Sequence, residues 1–327
     1  MRLAVDVMGG DHAPDAIVRG ALLACSRDGK WKLSPERLLL VGDEATIRAK
    51  LKEFGGDPGF PIRHASQVIG MGDSPAQALR AKPDSSIAGM MVATKSGAAG
   101  AAVSMGNTGA VVGAATLMLG TLAGVKRPGI AVTLDMTGRP ITLLDMGANI
   151  APKPEHFVQY GVMGSVYMRD CLGMESPRVG LLNIGEEESK GTDLLKEAHG
   201  LLKASKLNFV GNIEGNDIFR GKADVVVTDG FTGNVVLKLM EEFATFLLKL
   251  SMTELAKSGI QGAPEALGRV KKSIDYAEYG GALLLGVSGV VVIGHGRSDA
   301  NAVANAVALA ARALDAGVNE HIVRGLS

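Results

Sequence analysis

Cysteine is almost missing from this 327-residue chain, which has only Cys25 and Cys171. Two cysteines cannot make a disulfide framework, so a reducing compartment is expected. Aromatic residues are scarce as well, at 4%, and net charge is absent because 34 Lys and Arg offset 34 Asp and Glu. Without a bulk positive field nothing favours nucleic acid as a partner, and an acidic partner must be met by a local basic patch. No run reaches the roughly 18 uncharged apolar residues that cross a bilayer. The opening MRLAVDV is interrupted by Asp6 too early for the apolar core of a signal peptide. A soluble chain, or one that at most lies on a membrane, is expected.

Several signatures of chemistry are also lacking. There is no phosphate-loop lysine of the Walker type, no Gly-x-Gly-x-x-Gly after the first apolar run, and no Gly-x-Ser-x-Gly elbow. No His/Cys cluster has zinc spacing, so no metal site and no cofactor are expected. Both cysteines fall within helix-compatible stretches, as core thiols do. An acyl-transfer enzyme built on this sequence has to work without an acyl-enzyme, by holding two substrates together.

What is present is one format repeated six times: an apolar run, a turn of small residues, then a helix-compatible stretch. The six are VDVMGGDHAPD (5–15), AAVSMGNTGA (101–110), LLDMGAN (143–149), LLNIGEEESKGTD (181–193), VVVTDGFTGN (225–234) and VVIGHGRSD (291–299). Continuous Val/Ile/Leu/Ala runs mark parallel strands covered on both faces. Turns after such strands lie at the carboxyl edge of the sheet, where open α/β proteins bind ligands, and the following helix N-termini suit anions.

Strands are expected near 2–7, 37–42, 61–65, 101–104, 129–135, 141–145, 178–182, 208–211, 224–228 and 289–294. Helices are expected near 14–27, 43–54, 84–96, 107–120, 154–172, 191–204, 232–258, 262–274 and 298–316. The stretch 127–145 turns one apolar run into the next at Thr137-Gly138-Arg139-Pro140, a hairpin that makes the sheet mixed. No linker marks a domain cut, so 1–327 reads as a single α/β domain.

Each turn has two readings. In Asp6-Val7-Met8-Gly9-Gly10-Asp11-His12, Asp11 is a natural helix cap, yet capping explains neither a carboxylate at Asp6 inside a strand nor His12 in the turn. Gly106, Asn107 and Thr108 offer caps or ligand donors. Upstream, Lys95 either complements the C-terminal dipole of its helix or contacts an anion. The loop Glu186-Glu187-Glu188-Ser189-Lys190-Gly191 is a solvated surface or a site edge. Lys190 opening a helix is electrostatically wrong for the dipole unless an anion faces it. Asp229 and Thr232 precede Asn234 in the first turn of another helix, and His295 stands between two glycines.

In their order these residues resemble the bacterial phosphate acyltransferase family, the acyl-acyl-carrier-protein:phosphate acyltransferases. The resemblance rests on Asp6-Val7-Met8-Gly9-Gly10-Asp11 with Ala13-Pro14, on Ala101-Ala102-Val103-Ser104 with Gly106-Asn107-Thr108-Gly109-Ala110, and on Asp145 with Gly147-Ala148-Asn149. It continues through Gly180-Leu181-Leu182-Asn183-Ile184-Gly185-Glu186-Glu187 with Lys190-Gly191, through 224–234, and through Tyr279-Gly280-Gly281-Ala282 with Gly294-His295-Gly296. Met105 departs from the family, which more often has Ala there.

The resemblance implies a Rossmann-like αβα sandwich with a mainly parallel mixed sheet, akin to isocitrate dehydrogenase and phosphotransacetylase folds, and a homodimer. It implies that inorganic phosphate attacks the thioester of a long-chain acyl-acyl carrier protein, giving acyl phosphate and free carrier at the head of phospholipid synthesis. Phosphate is itself the nucleophile, so the enzyme need only hold it against a polarised carbonyl and stabilise the oxyanion. On that chemistry Lys190 is expected to meet phosphate charge and Asn234 to orient carbonyl or phosphate. Asn107, Thr108, Asn149 and the amides of the glycine turns are expected to donate, and Asp6, His12, Asp229 and His295 to orient them. Alternatives are a short-chain acyl-CoA phosphotransacylase and a non-catalytic scaffold for lipid enzymes.

Two partner surfaces are expected. Arg269, Lys271 and Lys272 form the densest basic cluster, either a dock for the acidic carrier or a solvated helix face. The stretch 235–255 interleaves apolar and charged residues and outruns the core, so a protruding helical hairpin over about 235–275 is expected. The family implies peripheral contact with the inner face of the cell membrane by an otherwise cytoplasmic protein. An apolar hairpin tip is the natural device, with dimer packing as the competing use.

Overall fold

The computed structural model describes residues 1–27, 32–135, 138–258, 262, 265–268, 270 and 279–327. The strands are β1 (Leu3–Asp6), β2 (Leu38–Gly42), β3 (Ile62–His64), β4 (Ala101–Ser104), β5 (Gly129–Asp135), β6 (Pro140–Leu144), β7 (Val179–Leu182), β8 (Phe209–Ile213), β9 (Val225–Val227), β10 (Ala282–Leu285) and β11 (Val290–Ile293). The helices are α1 (Asp15–Ser26), α2 (Glu44–Glu53), α3 (Pro75–Ala81), α4 (Ser86–Lys95), α5 (Thr108–Ala114), α6 (Pro154–Leu172), α7 (Asp193–Ala204), α8 (Gly215–Arg220), α9 (Gly230–Lys257), α10 (Ala300–Asp315) and α11 (Val318–Leu326).

Two compact units divide them. The first, Met1–Pro128 with Tyr279–Ser327, orders its strands β3-β2-β1-β4-β11-β10. All neighbours run parallel except β10 and β11. Every residue of β1, β2, β4 and β11 is buried, as strands covered on both faces must be. Helix α1 packs on α10 so closely that a β-carbon at Gly20 would collide with the Val303 side chain.

The second unit, Gly129–Glu278, orders its strands β5-β6-β9-β7-β8. Here β5 and β6 are the antiparallel hairpin expected from the sequence, and β6, β9, β7 and β8 run parallel. Helix α6 lies on β9, where a side chain at Gly164 would stand 2.5 Å from Val225 Cγ1.

The α/β class with mainly parallel, mixed strands agrees with the sequence reading. Differences lie in short elements. A late strand is expected only near 289–294, but the run ALLLGVSGVVVI (282–293) folds back at 286–289 and forms two, β10 and β11. The short helices α3, α8 and α11 were not expected. Most of the expected return helix of the hairpin lies outside the described residues, Arg269, Lys271 and Lys272 among them, as does Thr137 of the earlier turn. Among the described residues no helix is long and apolar enough to cross a membrane.

Candidate active site

In the first unit β1, β4 and β11 are parallel neighbours, so the turns after them leave the same edge. Asp6, at the end of β1 and fully buried, ties two of these turns together. Its Oδ1 accepts the Met8 N–H at 3.1 Å and its Oδ2 accepts the Ser104 hydroxyl at 2.6 Å, while Ser104 Oγ accepts the Gly106 N–H at 3.0 Å. Burial pushes the Asp6 carboxyl up, against the donors Ser104, Ser86, Met8 and Gly9. Gly9 and Gly106 meet backbone to backbone, since a β-carbon on Gly9 would stand 2.9 Å from Gly106 Cα. The third turn joins through Asp11 N–H to Gly296 C=O, 2.8 Å, and Gly294 N–H to Ser104 C=O, 2.9 Å.

These contacts revise the expected cap. Helix α1 starts at Asp15 with Pro14 at its N-cap and no side-chain cap bond, so Asp11 lies outside the cap; its backbone N–H donates to the β11 turn. His12 is exposed and lines an open depression with Asp15, Arg19 and Asp299. His295 accepts the Arg297 N–H on Nδ1 at 3.0 Å, which leaves Nε2 to carry the hydrogen of the neutral ring. Thr108 is exposed as the first residue of α5. Lys95 stands apart. It ends α4 just before β4 begins, at the opposite edge from these turns.

In the second unit β6, β9 and β7 likewise send three loops from one edge. Buried Asp145 gathers the first loop. Its Oδ1 accepts the N–H groups of Ile130, Gly147 and Ala148 at 2.9, 3.1 and 2.9 Å, and its Oδ2 that of Asn149 at 2.7 Å. Burial raises this carboxyl while the four donors pull the other way. The second loop lies directly on the first: Gly230 N–H donates to Asn149 C=O at 2.9 Å, and a β-carbon at Gly233 would strike the Asp145 carbonyl. Two glycines three apart therefore let the first turn of α9 approach. Asp229 caps that helix by accepting the Thr232 N–H at 2.8 Å. Asn234, exposed in the second turn rather than the first, lies beside Gly147. The Asn149 amide donates to Tyr160 Oη at 3.3 Å and sits 3.4 Å from His156 Nδ1.

The third loop is built by Asn183, which accepts the Ile184 N–H at 2.8 Å and donates to Lys190 C=O at 3.2 Å. Glu186 pairs with Lys222 and Glu188 with Lys203, so two of the three carboxylates brace the surface. Helix α7 begins only at Asp193 with Thr192 as its cap, so Lys190 is a loop residue and not the helix opener expected. The alkyl chain of Lys190 folds over Gly185, whose β-carbon would stand 2.9 Å from Lys190 Cγ. Its ammonium is exposed and has no ion-pair partner among the described residues. An exposed cation with no such partner suits an anionic ligand.

The chain matches the family described as "Fatty acid synthesis protein" over residues 1–321. The chain belongs to this family. Among its relatives, a phosphate acyltransferase of Pelotomaculum thermopropionicum is 46% identical, covering 98% of this chain and 94% of the relative. One from Heliobacterium modesticaldum is 46% identical over 98% of each chain. Both relatives are named for an enzyme, and this chain is an enzyme. Among solved structures, a phosphotransacetylase of Streptococcus pyogenes superposes with a TM-score of 0.65 at 15% identity, covering 96% of this chain and 94% of that one. A branched-chain phosphotransacylase of Enterococcus faecalis gives 0.58 at 15%, covering 96% and 99%. At that identity these two speak for the fold.

Within each unit the expected residues thus gather at one edge, Lys95 excepted. Ser104, Asp145 and Asn183 lie inside the motifs, yet nothing in the sequence alone assigns them a role. The readable signal was a polar residue ending or directly following a mainly apolar strand: Asp6, Ser104, Asp145 and Asn183 all do so.

Proposed function

We propose that this enzyme transfers a long-chain acyl group from the thioester of an acyl carrier protein to inorganic phosphate. The observation that carries the reading is Lys190, an exposed ammonium with no ion-pair partner among the described residues, on a loop that Asn183 shapes, leaving the strand edge from which Asn234 and the loop held by Asp145 also rise. In the reaction a phosphate oxygen forms a bond to the thioester carbonyl carbon. The tetrahedral oxyanion then collapses as the C–S bond breaks, and the carrier thiolate leaves and takes a proton from solvent. Lys190 meets the phosphate charge, and the Asn234 amide stabilises the oxyanion. No side-chain base is required, because phosphate is ionised at neutral pH and a thiolate leaves readily. Within the second unit, Asp145 and Asp229 hold the two turns beside Asn234.

The test is direct: purified protein with palmitoyl-acyl carrier protein and labelled phosphate should yield acyl phosphate and free carrier thiol in equal amounts. Turnover of acetyl-CoA with none of the palmitoyl carrier would favour the short-chain reading instead.

The same proposal includes a homodimer with peripheral membrane contact, and what supports both is α9. Phe231, Val235, Leu239, Phe243, Phe246 and Leu250 recur at helical spacing on it, and Leu239 is 67% exposed. A stripe of that length does not stay in water. The part near the site covers a second copy, and the distal part lies in a lipid interface.

A further inference from the structure

Beneath the loop that carries Lys190, within the second unit, lies a buried polar pair that the mechanism above leaves unused. His199 on α7 and Asn212 near the end of β8 are 6% and 2% exposed. Asn212 Nδ2 donates to the Glu187 C=O at 2.9 Å. A carbonyl oxygen only accepts, so the nitrogen of that amide must face it and Oδ1 must face His199 Nδ1, 3.0 Å away. Nδ1 therefore carries a ring hydrogen. The other buried residues of α7 are Ala198 and Leu202, and the His199 ring stands edge-on to Phe209 with centroids 5.1 Å apart. Burying two polar side chains in such surroundings costs stability unless each is bonded. Here both are bonded, in a chain that ends on the loop.

The Glu187 C=O at the end of that chain also accepts the Lys190 N–H at 3.0 Å. One carbonyl thus joins Asn212 to the backbone of the lysine. Asn183 holds the other end of the turn by donating to Lys190 C=O at 3.2 Å. It follows β7, which pairs in parallel with β8 and sets Leu181 opposite Asn212. Two neighbouring strands therefore each fix one end of the turn 187–190. Glu186 with Lys222 and Glu188 with Lys203 tie the loop as well, and Glu188 Oε1 stands 3.7 Å from His199 Nε2. Both carboxylates are exposed, and exposed pairs are screened and hold a loop weakly. At the 187 end the buried anchor is Asn212.

We propose that Asn212, oriented by His199, is a positioning residue for phosphate: it fixes the turn from which the Lys190 ammonium is presented. This rests on the acyl-transfer reading above, in which Lys190 meets the phosphate charge. A cation on a loose turn has to be ordered as the anion binds, and that ordering subtracts from the attraction. Holding the turn in advance removes this cost for phosphate and does nothing for the thioester.

The experiment measures steady-state kinetics with palmitoyl-acyl carrier protein and inorganic phosphate in Asn212→Ala, Asn212→Asp, His199→Phe and His199→Asn. Asn212→Asp keeps the acceptor for His199 but loses the donor to Glu187. Both Asn212 variants should raise KM for phosphate roughly tenfold and leave KM for the carrier thioester unchanged. His199→Phe keeps a ring beside Phe209 without the Nδ1 hydrogen and should raise phosphate KM too. His199→Asn supplies an amide N–H in the place of Nδ1 and should stay near wild type. In a Lys190→Ala background, Asn212→Ala should raise phosphate KM no further. A merely structural pair predicts a lower kcat or melting temperature with phosphate KM unmoved, or an equal loss with and without Lys190; either result overturns the proposal. An impaired His199→Asn beside a normal His199→Phe would overturn the orienting role of His199. If the unmodified enzyme forms no acyl phosphate, the acyl-transfer reading fails and this inference falls with it. If it turns over and the Asn212 variants keep the wild-type phosphate KM, that reading stands and the positioning role alone is overturned.

Discussion

Asn234 lies against Gly147: a β-carbon on the glycine would stand 3.6 Å from the asparagine's Cβ and Cγ and 3.8 Å from its Oδ1. Gly147 has a φ of +132°, a left-handed value that glycine tolerates, and its N–H is held by Asp145. The second turn of α9 thus sets an exposed amide beside a loop whose shape a buried carboxylate fixes. Asn234→Ala should lower turnover roughly 10²–10³-fold, the usual loss for one preorganised donor, and Lys190→Ala should do the same. Both side chains are exposed, so melting temperatures should stay near wild type. Steady-state kinetics and thermal scans check this together. Near-normal turnover in either variant removes that residue from the mechanism.

Much of this arrangement was legible because a buried parallel strand is an uninterrupted apolar run. The turns after β1, β4, β6, β7, β9 and β11 could all be located from such runs. What a linear pattern does not carry is which atoms a polar side chain has already committed. Asn107 and Asn149 look in sequence like donors waiting for a ligand, yet both amides face protein partners, and loop 70–73 gives no sign that it folds onto Asn107. Lys95 shows a second limit. A helix leading into a strand ends at that strand's amino edge, so a residue four to six positions before an apolar run belongs to the wrong side of the sheet. Lys190 shows a third, for Thr192 caps α7 better than its neighbours and moves the helix start past the lysine.

The cysteines provide a test of direct attack. Burial pushes the Cys25 thiol up to about 11, so almost none of it is thiolate at neutral pH. Cys25 belongs to α1 and Cys171 to α6, neither on a carboxyl-edge turn. A Cys25→Ala, Cys171→Ala double variant is expected to retain activity within a few-fold. Mass spectrometry of unmodified enzyme mixed with palmitoyl carrier should find no acyl adduct on either sulfur. An adduct that forms and decays at the turnover rate would replace direct attack with a two-step route.

Asp224 ties the second unit together in a pH-dependent way. Burial raises its carboxyl, but Arg178 outweighs that with three hydrogen bonds, two from its side chain at 3.0 and 2.9 Å and one from its backbone at 2.8 Å. Arg139 adds a contact at 2.9 Å, and the net result is a carboxyl below its ordinary range. A depressed folded pKa stabilises the native state above the unfolded value of about 3.9, and that stability is lost as pH falls through the folded one. Asp224→Asn should therefore cost about 1–3 kcal/mol at pH 7 in urea unfolding, and progressively less below about pH 4. A cost that stays constant into acid would mean that the ionised carboxylate is not what holds the two arginines.

The first turns of the α9 apolar stripe are proposed to cover a second copy and its distal part to lie in a lipid interface, and the two uses can be tested separately. Phe231, Val235 and Leu239 lie within its first three turns, close to Asn234, whereas Leu250 and Leu255 belong to its last third. Glu241, Glu242, Lys249 and Glu254 interrupt the apolar residues of this helix, which fits a surface seat in a lipid interface and not a crossing. Replacing Leu250 and Leu255 with Glu sets two carboxylates where hydrocarbon contact is proposed, and anionic lipid would repel them. The variant is expected to stay in the supernatant when liposomes with anionic headgroups are sedimented, while unmodified protein pellets with them. Its mass by light scattering should remain that of a dimer, and its turnover of soluble palmitoyl carrier should be unchanged. The reciprocal variant, Val235→Glu with Leu239→Glu, should fall to monomers. If the Leu250 and Leu255 variant dissociates instead, the distal stripe is part of the dimer seam and the membrane contact must be sought elsewhere.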